Sequence, residues 1–284
     1  MGQARGWNGW DAIIDLALAE DVGTGDVTTM ATVPAEARSS ARLVAKAEGV
    51  LSGVEVARAV FLRVDPTVTF EVCVPDGGHA GEGTVIASIE GPSHAMLLAE
   101  RTALNLIQHL SGIATLTARY VDAVEGTGAC IVDTRKTMPG QRVLEKAAVR
   151  HGGGRNHRVG LSDGVLIKDN HLAAIGGPDR IARAIAAARA AVPHTLRVEV
   201  EVTTLDEVRE AVEAGADAIL LDNMGIEELR AAVAIVGGRA MTEASGGVHL
   251  ATVRLVAETG VDLISVGRLT HSAPALDISL QFSL

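Results

Sequence analysis

Aromatic side chains are nearly missing from this chain: six of its 284 residues are Phe, Trp or Tyr. That is too few for a surface on which nucleic-acid bases stack. A net charge of −10 likewise argues against nucleic acid or an anionic membrane as partner. Cysteine is as scarce. Cys73 and Cys130 stand in no metal or redox spacing, which points to a reduced, cytoplasmic setting. No apolar run reaches membrane-spanning length, and the start of the chain carries no signal-peptide core. Lysine occurs four times, at Lys46, Lys136, Lys146 and Lys168. What remains is ample for a core, with 48% hydrophobic residues, and the length fits one or two domains.

Two patterns divide the chain. Up to about residue 112 the reading is mixed α and β. A helix is expected over 10–21, and short β-rich segments over 41–54, 67–74 and 84–91 are separated by Gly, Pro and Asp turns. A long helix follows Pro92–Ser93, with Arg101, Asn105 and Gln108 on its polar stripe, and is expected to end or break at Ser111–Gly112. From about 128, apolar strand runs recur, each followed by a turn and usually a helix: ACIVDT, GVLIKD, LRVEVEV, DAILLDN, AMTEAS and DLISVG. Helices are expected over 179–192, 204–214, 225–237 and 248–259, with TLDE at 204–207 in capping-box spacing. Such alternation predicts parallel strands with right-handed crossovers, six or seven in number. In the tail, Leu276, Ile278, Leu280 and Phe282 alternate with polar residues, the mark of one more half-buried strand. It is expected to return to the N-terminal sheet.

Charge is distributed unevenly. Residues 133–171 hold eight cations against Asp133, Glu145, Asp163 and Asp169. A basic block in an acidic chain points to an anionic small molecule. In α/β barrels the working residues stand at the C-terminal ends of strands. Here those ends read Asp133–Lys136, Lys168–His171, Glu199 and Glu201, Asp222–Asn223, Glu243 and Ser245, and Gly267. Glu199 and Glu201 share one face of a strand whose other face is valine. Buried carboxylates are costly unless paired, so these acids are expected to face a cavity shared with lysine and arginine. Glu199 either pairs with a lysine across that cavity or meets a ligand directly. ASGG (244–247) and SVGR (265–268) are small-residue turns suited to a phosphate, and Glu201 and Asp222 could hold Mg²⁺.

Plainer readings compete. Arg142, Lys146 and Arg150 at spacing i, i+4, i+8 read as a solvated helix face, and Gly152–Gly154 as a helix stop. His94, His109 and His194 read as structural or surface histidines. Arg101 alone reads as a surface arginine.

DTRKTMPG (133–140), GGGRNHRVGLSDGVLIKDNH (152–171), VEVEV (198–202), ILLDN (219–223), EASGG (243–247) and ISVGRLTHS (264–272) resemble quinolinate phosphoribosyltransferases. GDVTT (25–29) and ERTALNLIQHLSGIAT (100–115) resemble the family's N-terminal half. The resemblance implies an N-terminal α/β sandwich domain over 1–112, joined by a C-terminal strand within 271–284. It implies an open, incomplete α/β barrel of about seven strands over 113–270. The implied reaction joins quinolinate to phosphoribosyl pyrophosphate and releases nicotinate mononucleotide, CO₂ and pyrophosphate, with Mg²⁺, on the route to NAD. The implied assembly is a homodimer with shared active sites, or a hexamer.

By the same resemblance, Arg101 from the partner subunit, with Arg135, His157, Arg158 and Lys168, surrounds the quinolinate carboxylates. Lys136 contacts the phosphoribosyl donor near the reacting centre. Glu201 and Asp222 serve the Mg²⁺, pyrophosphate and ribose side, and Ser245, Gly246, Gly267 and His271 take the 5′-phosphate. Three other readings stand beside this one. They are a ModD-like paralogous phosphoribosyltransferase, a Schiff-base lyase using Lys168 or Lys136, and a non-catalytic anion-binding module.

Overall fold

The computed structural model describes residues 9–283. Residues 1–8, where no signal-peptide core is read, and Leu284, the last residue of the tail, lie outside them. The chain divides into two compact units: residues up to Ala118 with Thr137–Gly153 and those from Leu269 on, and Arg119–Lys136 with Gly154–Arg268. Thr137–Gly153 groups with the first unit although barrel strands flank it in sequence.

The first unit is built on a four-stranded antiparallel sheet in the order Ile278–Phe282, Arg38–Ala45, Val85–Pro92, Thr69–Val72. The tail strand thus returns to the N-terminal sheet, with Leu43 opposite Leu280. The Gln108 side-chain amide, on the long helix, donates 2.6 Å to the Ile278 carbonyl.

The long helix runs unbroken from Ser93 to Ala123, correcting the expected break at Ser111–Gly112. Neither residue breaks the helix, because each serves packing. Ser111 Oγ accepts from Ser52 N and donates to Ser52 O, both at 3.0 Å. A Cβ on Gly112 would run into the Pro274 carbonyl, so glycine there allows close approach rather than ending the helix.

The helix Arg142–His151 corrects a second expectation. Its Lys146 is 2% exposed and its Glu145 fully buried, so of Arg142, Lys146 and Arg150 only Arg150 is exposed. Glu145 Oε1 lies 2.9 Å from His109 Nε2, and Oε2 accepts from Met138 N at 3.2 Å.

The second unit carries six parallel strands: Cys130–Val132, Leu263–Ser265, Met241–Ser245, Ala218–Asp222, Val198–Val202 and Val165–Ile167, in that spatial order. All six apolar runs of the sequence form strands. The sheet is open, with six strands among the described residues where about seven were expected. In place of a seventh there is a single parallel bridge from Val132 to Arg155, where Arg155 N donates 2.9 Å to Ile131 O. The glycines preceding Arg155 and the charged residues after it leave no apolar run to extend that pairing.

Helices Arg180–Ala191, Leu205–Glu213 and Ile226–Val236 follow the expected spans closely, while the last, Val253–Ala257, is shorter than expected. Thr204 Oγ1 caps Leu205–Glu213 by accepting from Glu207 N at 3.2 Å. The Glu207 carboxylate reaches back to Thr203 N at 2.9 Å, one residue short of a full capping box. Val198, Val200, Val202, Ile219 and Leu221 are all buried. Each contributes about 1.5–3 kcal/mol relative to exposure, and the alternation leaves the other face of the strands for polar residues.

Candidate active site

On the strand Ala218–Asp222 the inward face changes from apolar to polar towards the C-terminal end, and on Val198–Val202 it carries Glu199 and Glu201. Glu201 and Glu243 lie in register with Leu220, and Ser245 with both Asp222 and Ser265. Above these residues opens a cavity of about 730 Å³. Four cations line it, Arg135, Lys136, Arg158 and Lys168, together with Glu201, Asp222 and Glu243. Random surface charge would not gather these seven charged groups from six places along the chain into one hollow.

Each cation is placed by local structure. Lys168 follows the strand Val165–Ile167 and precedes the helix Asp169–Ile175. Its Nζ lies 2.6 Å from Glu201 Oε2, and its backbone N–H donates 2.9 Å to His171 Nδ1. Arg135 and Lys136 follow the strand Cys130–Val132 across Asp133. Asp133 is fully buried and holds the segment beside it. Its Oδ1 accepts from His157 N at 2.8 Å and its Oδ2 from the Asn156 amide at 2.6 Å. Arg158 donates through Nη1 to Gly164 O at 3.3 Å. Burial, then the neighbouring Arg135 charge, lowers the Arg158 pKa from its ordinary value. An anion entering between these two guanidinium groups would relieve that repulsion.

Beneath the cations lies a compact cluster. His157 Nε2 is 3.2 Å from Glu199 Oε2 and 3.5 Å from Glu243 Oε2. Glu199 is 8% and Glu243 1% exposed. His157 Nδ1 accepts from the Arg158 backbone N–H at 2.7 Å, which fixes the proton on Nε2, directed at the two acids. The hydrogen bond to Glu199 raises the His157 pKa, with burial opposing. Burial, reinforced by the Glu199 charge, pushes the Glu243 carboxyl up to about 7. These three residues are the group of metal-capable side chains found among the described residues, their ligand atoms within 4.8 Å of one another. In this geometry the Nε2 proton fills the space between them. Glu199 thus pairs with a neighbouring histidine rather than with the lysine expected across the cavity.

Of the residues read from sequence, Arg135, Lys136, His157, Arg158, Lys168, Glu201, Asp222 and Ser245 line the cavity together. Arg101 is exposed on the long helix of the first unit. Gly246 has φ +90, and a Cβ there would collide with the Asn223 amide, so the turn after Met241–Ser245 requires glycine. Gly246 and Gly267 are not among the lining residues. His271 belongs to the first unit and is exposed, its Nδ1 2.6 Å from Ser272 Oγ. The histidine that lines the cavity beside His157 is His171. Asn223, Ser265 and Glu243 also line it. Their strand-end positions were the available signal, but nothing local singles them out.

An open parallel α/β sheet with this charge arrangement at its strand ends defines a class of proteins built to hold polyanionic small molecules at the sheet mouth. The comparisons narrow the class. Residues 26–111 match the model for the quinolinate phosphoribosyl transferase N-terminal domain, and 113–281 that for its C-terminal domain. The chain belongs to the quinolinate phosphoribosyl transferase family. It is 44% identical to the chloroplastic nicotinate-nucleotide pyrophosphorylase [carboxylating] of Arabidopsis thaliana, covering 95% of this chain and 82% of that one. It is 45% identical to the probable nicotinate-nucleotide pyrophosphorylase [carboxylating] of Bacillus subtilis, covering 93% and 90%. The solved structure of NadC from Streptococcus pyogenes superposes with a TM-score of 0.92 at 41% identity over 100% of both chains.

Proposed function

We propose that this chain catalyses phosphoribosyl transfer from phosphoribosyl pyrophosphate to quinolinate with decarboxylation, yielding nicotinate mononucleotide, CO₂ and pyrophosphate for NAD biosynthesis. The observation that carries this reading is the single cavity that four cations share with three carboxylates. A dicarboxylate meeting a polyanionic donor needs that many positive charges, and guanidinium forks match carboxylates.

Arg135 and Arg158, with His157 and Lys168, receive the dicarboxylate, and Lys136 the donor. The pyridine nitrogen forms a bond to C1′ of the ribose as the C1′–O bond to pyrophosphate breaks, and pyrophosphate takes the electron pair. Glu201 and Asp222 on adjacent strands face the positive charge that develops at the ribose. The bond from ring C2 to its carboxylate then breaks, CO₂ leaves, and the electron pair at C2 takes a proton. Holding both substrates in register supplies much of the acceleration.

Glu201 and Asp222 fit a hard divalent cation: both are oxygen donors at neighbouring strand ends on the cavity, and Glu201 is already engaged by Lys168. They would hold Mg²⁺ largely through water and substrate oxygens. When bound, the ion offsets negative charge on the leaving pyrophosphate.

The Schiff-base reading fares worse. Such a lysine must be a neutral amine, and Lys168 is engaged in an ion pair at 2.6 Å. The deciding assay supplies quinolinate, phosphoribosyl pyrophosphate and Mg²⁺ and looks for nicotinate mononucleotide, with nicotinate as the control acceptor. Product from quinolinate alone, lost on chelation with EDTA, is expected. Product from nicotinate alone, or none, overturns the reading and favours the ModD-like alternative.

The protein is read as a cytoplasmic homodimer. Among the described residues no helix is long and apolar enough to cross a membrane. Both cysteines are free thiols. Leu16, Val27, Met30 and Met138, all in the first unit, are large and more than half exposed, apolar area that a second copy could cover. Arg101 in that unit is the residue a partner would supply. Arg101→Ala and Lys136→Ala are each expected to be inactive. Mixed as subunits they should regain about a quarter of wild-type turnover, since half the dimers are mixed and each has one intact site. No recovery in verified mixed dimers removes the shared-site claim.

A further inference from the structure

Glu243 occupies a position the sheet does not require to be acidic. Its register neighbours on the two adjacent strands are Leu220 and Leu263, and it is 1% exposed. Its Oε2 has no partner in hydrogen-bond geometry, and the Ser265 hydroxyl and the Lys168 charge, which favour its ionised form, are outweighed by burial and the Glu199 charge. The nearest side-chain N–H on offer is His157 Nε2, 3.5 Å away. An apolar side chain would cost the fold less at this point. Retention of a carboxylate there has its explanation in the groups above it.

Those groups form a chain. Glu199 and Glu243 face His157 Nε2, and His157 Nδ1 accepts the Arg158 backbone N–H at 2.7 Å. Arg158 lines the cavity. Turning the imidazole would release both contacts at once.

We propose that Glu243 is a positioning residue which, with Glu199, locks the His157 ring from beneath and so aims Arg158 at the quinolinate carboxylates, at a cost in stability. This rests on the reading of the cavity as the quinolinate site. The cost has a defined pH dependence. A carboxyl raised from 4.5 to about 7 by burial keeps its proton in the folded state where the unfolded chain loses it. Stability from this group is therefore highest at acid pH and falls as pH rises between those values.

Glu243→Leu and Glu243→Gln test the idea. Leucine packs between the flanking leucines, so Glu243→Leu is expected to melt higher than wild type at pH 8, with a smaller gain at pH 5. Its KM for quinolinate should rise at least tenfold while KM for phosphoribosyl pyrophosphate stays within twofold. Glu243→Gln, which keeps an acceptor, should recover part of that loss. Ring ¹⁵N shifts should report the Nε2–H form of His157 in wild type and a mixture in Glu243→Leu.

Two results would overturn the proposal: an unchanged quinolinate KM in either folded variant, or a lower melting point with both KM values raised together. If Glu243→Leu does not fold, Glu243→Gln decides alone. If wild type makes no product from quinolinate, the functional reading fails. The ¹⁵N shifts still decide the positioning role, and unchanged shifts in the variant reject it.

Discussion

Lys168→Ala is expected to reduce kcat/KM for quinolinate by about 10³, with the fold intact. Removing one preorganised charge from a water-poor site commonly costs 10²–10³, and this change does two things at once. It deletes a cation from the cavity, and it leaves Glu201, paired with Lys168 at 2.6 Å, uncompensated where the substrate's negative charge must lie. The stability effect should be about 1–3 kcal/mol, because the Lys168 side chain is 44% exposed but the Glu201 carboxylate it leaves unpaired is only 12% exposed. Calorimetric titration with quinolinate provides the check. Unchanged affinity would remove Lys168 from the binding site, and Lys168→Ala/Glu201→Gln should bind better than Lys168→Ala if the freed carboxylate is half the problem.

Asp133→Asn should be damaging in a different way. The change is nearly isosteric, but Asp133 is fully buried and accepts from both His157 N and the Asn156 side-chain amide. An amide can accept through one atom only, so its NH₂ group would face one of these N–H donors. Leaving such a buried donor unsatisfied costs about 1–3 kcal/mol, more where a charge was involved. The displaced segment carries His157 and Arg158, so quinolinate turnover should fall at least a hundredfold as well. Urea unfolding beside steady-state kinetics separates the effects. A midpoint shift worth less than about 0.5 kcal/mol, the range of an ordinary surface substitution, would show that Asp133 does not hold this segment.

Much of this was legible in the chain itself. The strands read clearly because parallel strands covered on both faces are continuous apolar runs, and their polar ends mark the mouth. The long family motifs pointed to the substrates. Reading failed where a residue's meaning came from a distant partner. Gly112 looked like a helix break because its contact, Pro274, is far away in sequence. Lys146 looked solvated because a periodic charge pattern does not reveal what covers it. Glu243 was one polar strand end among several until His157 was seen above it.

The sequence by itself determined the α/β alternation, the apolar runs that form the strands, the basic segment at 133–171 and the family. These rest on local periodicity, charge count and contiguous motifs. Only the tertiary structure decided which acids meet which cations: Glu201 with Lys168, and Glu199 and Glu243 with His157. Strand register sets those pairings, and register is a property of neighbouring strands that no single segment encodes.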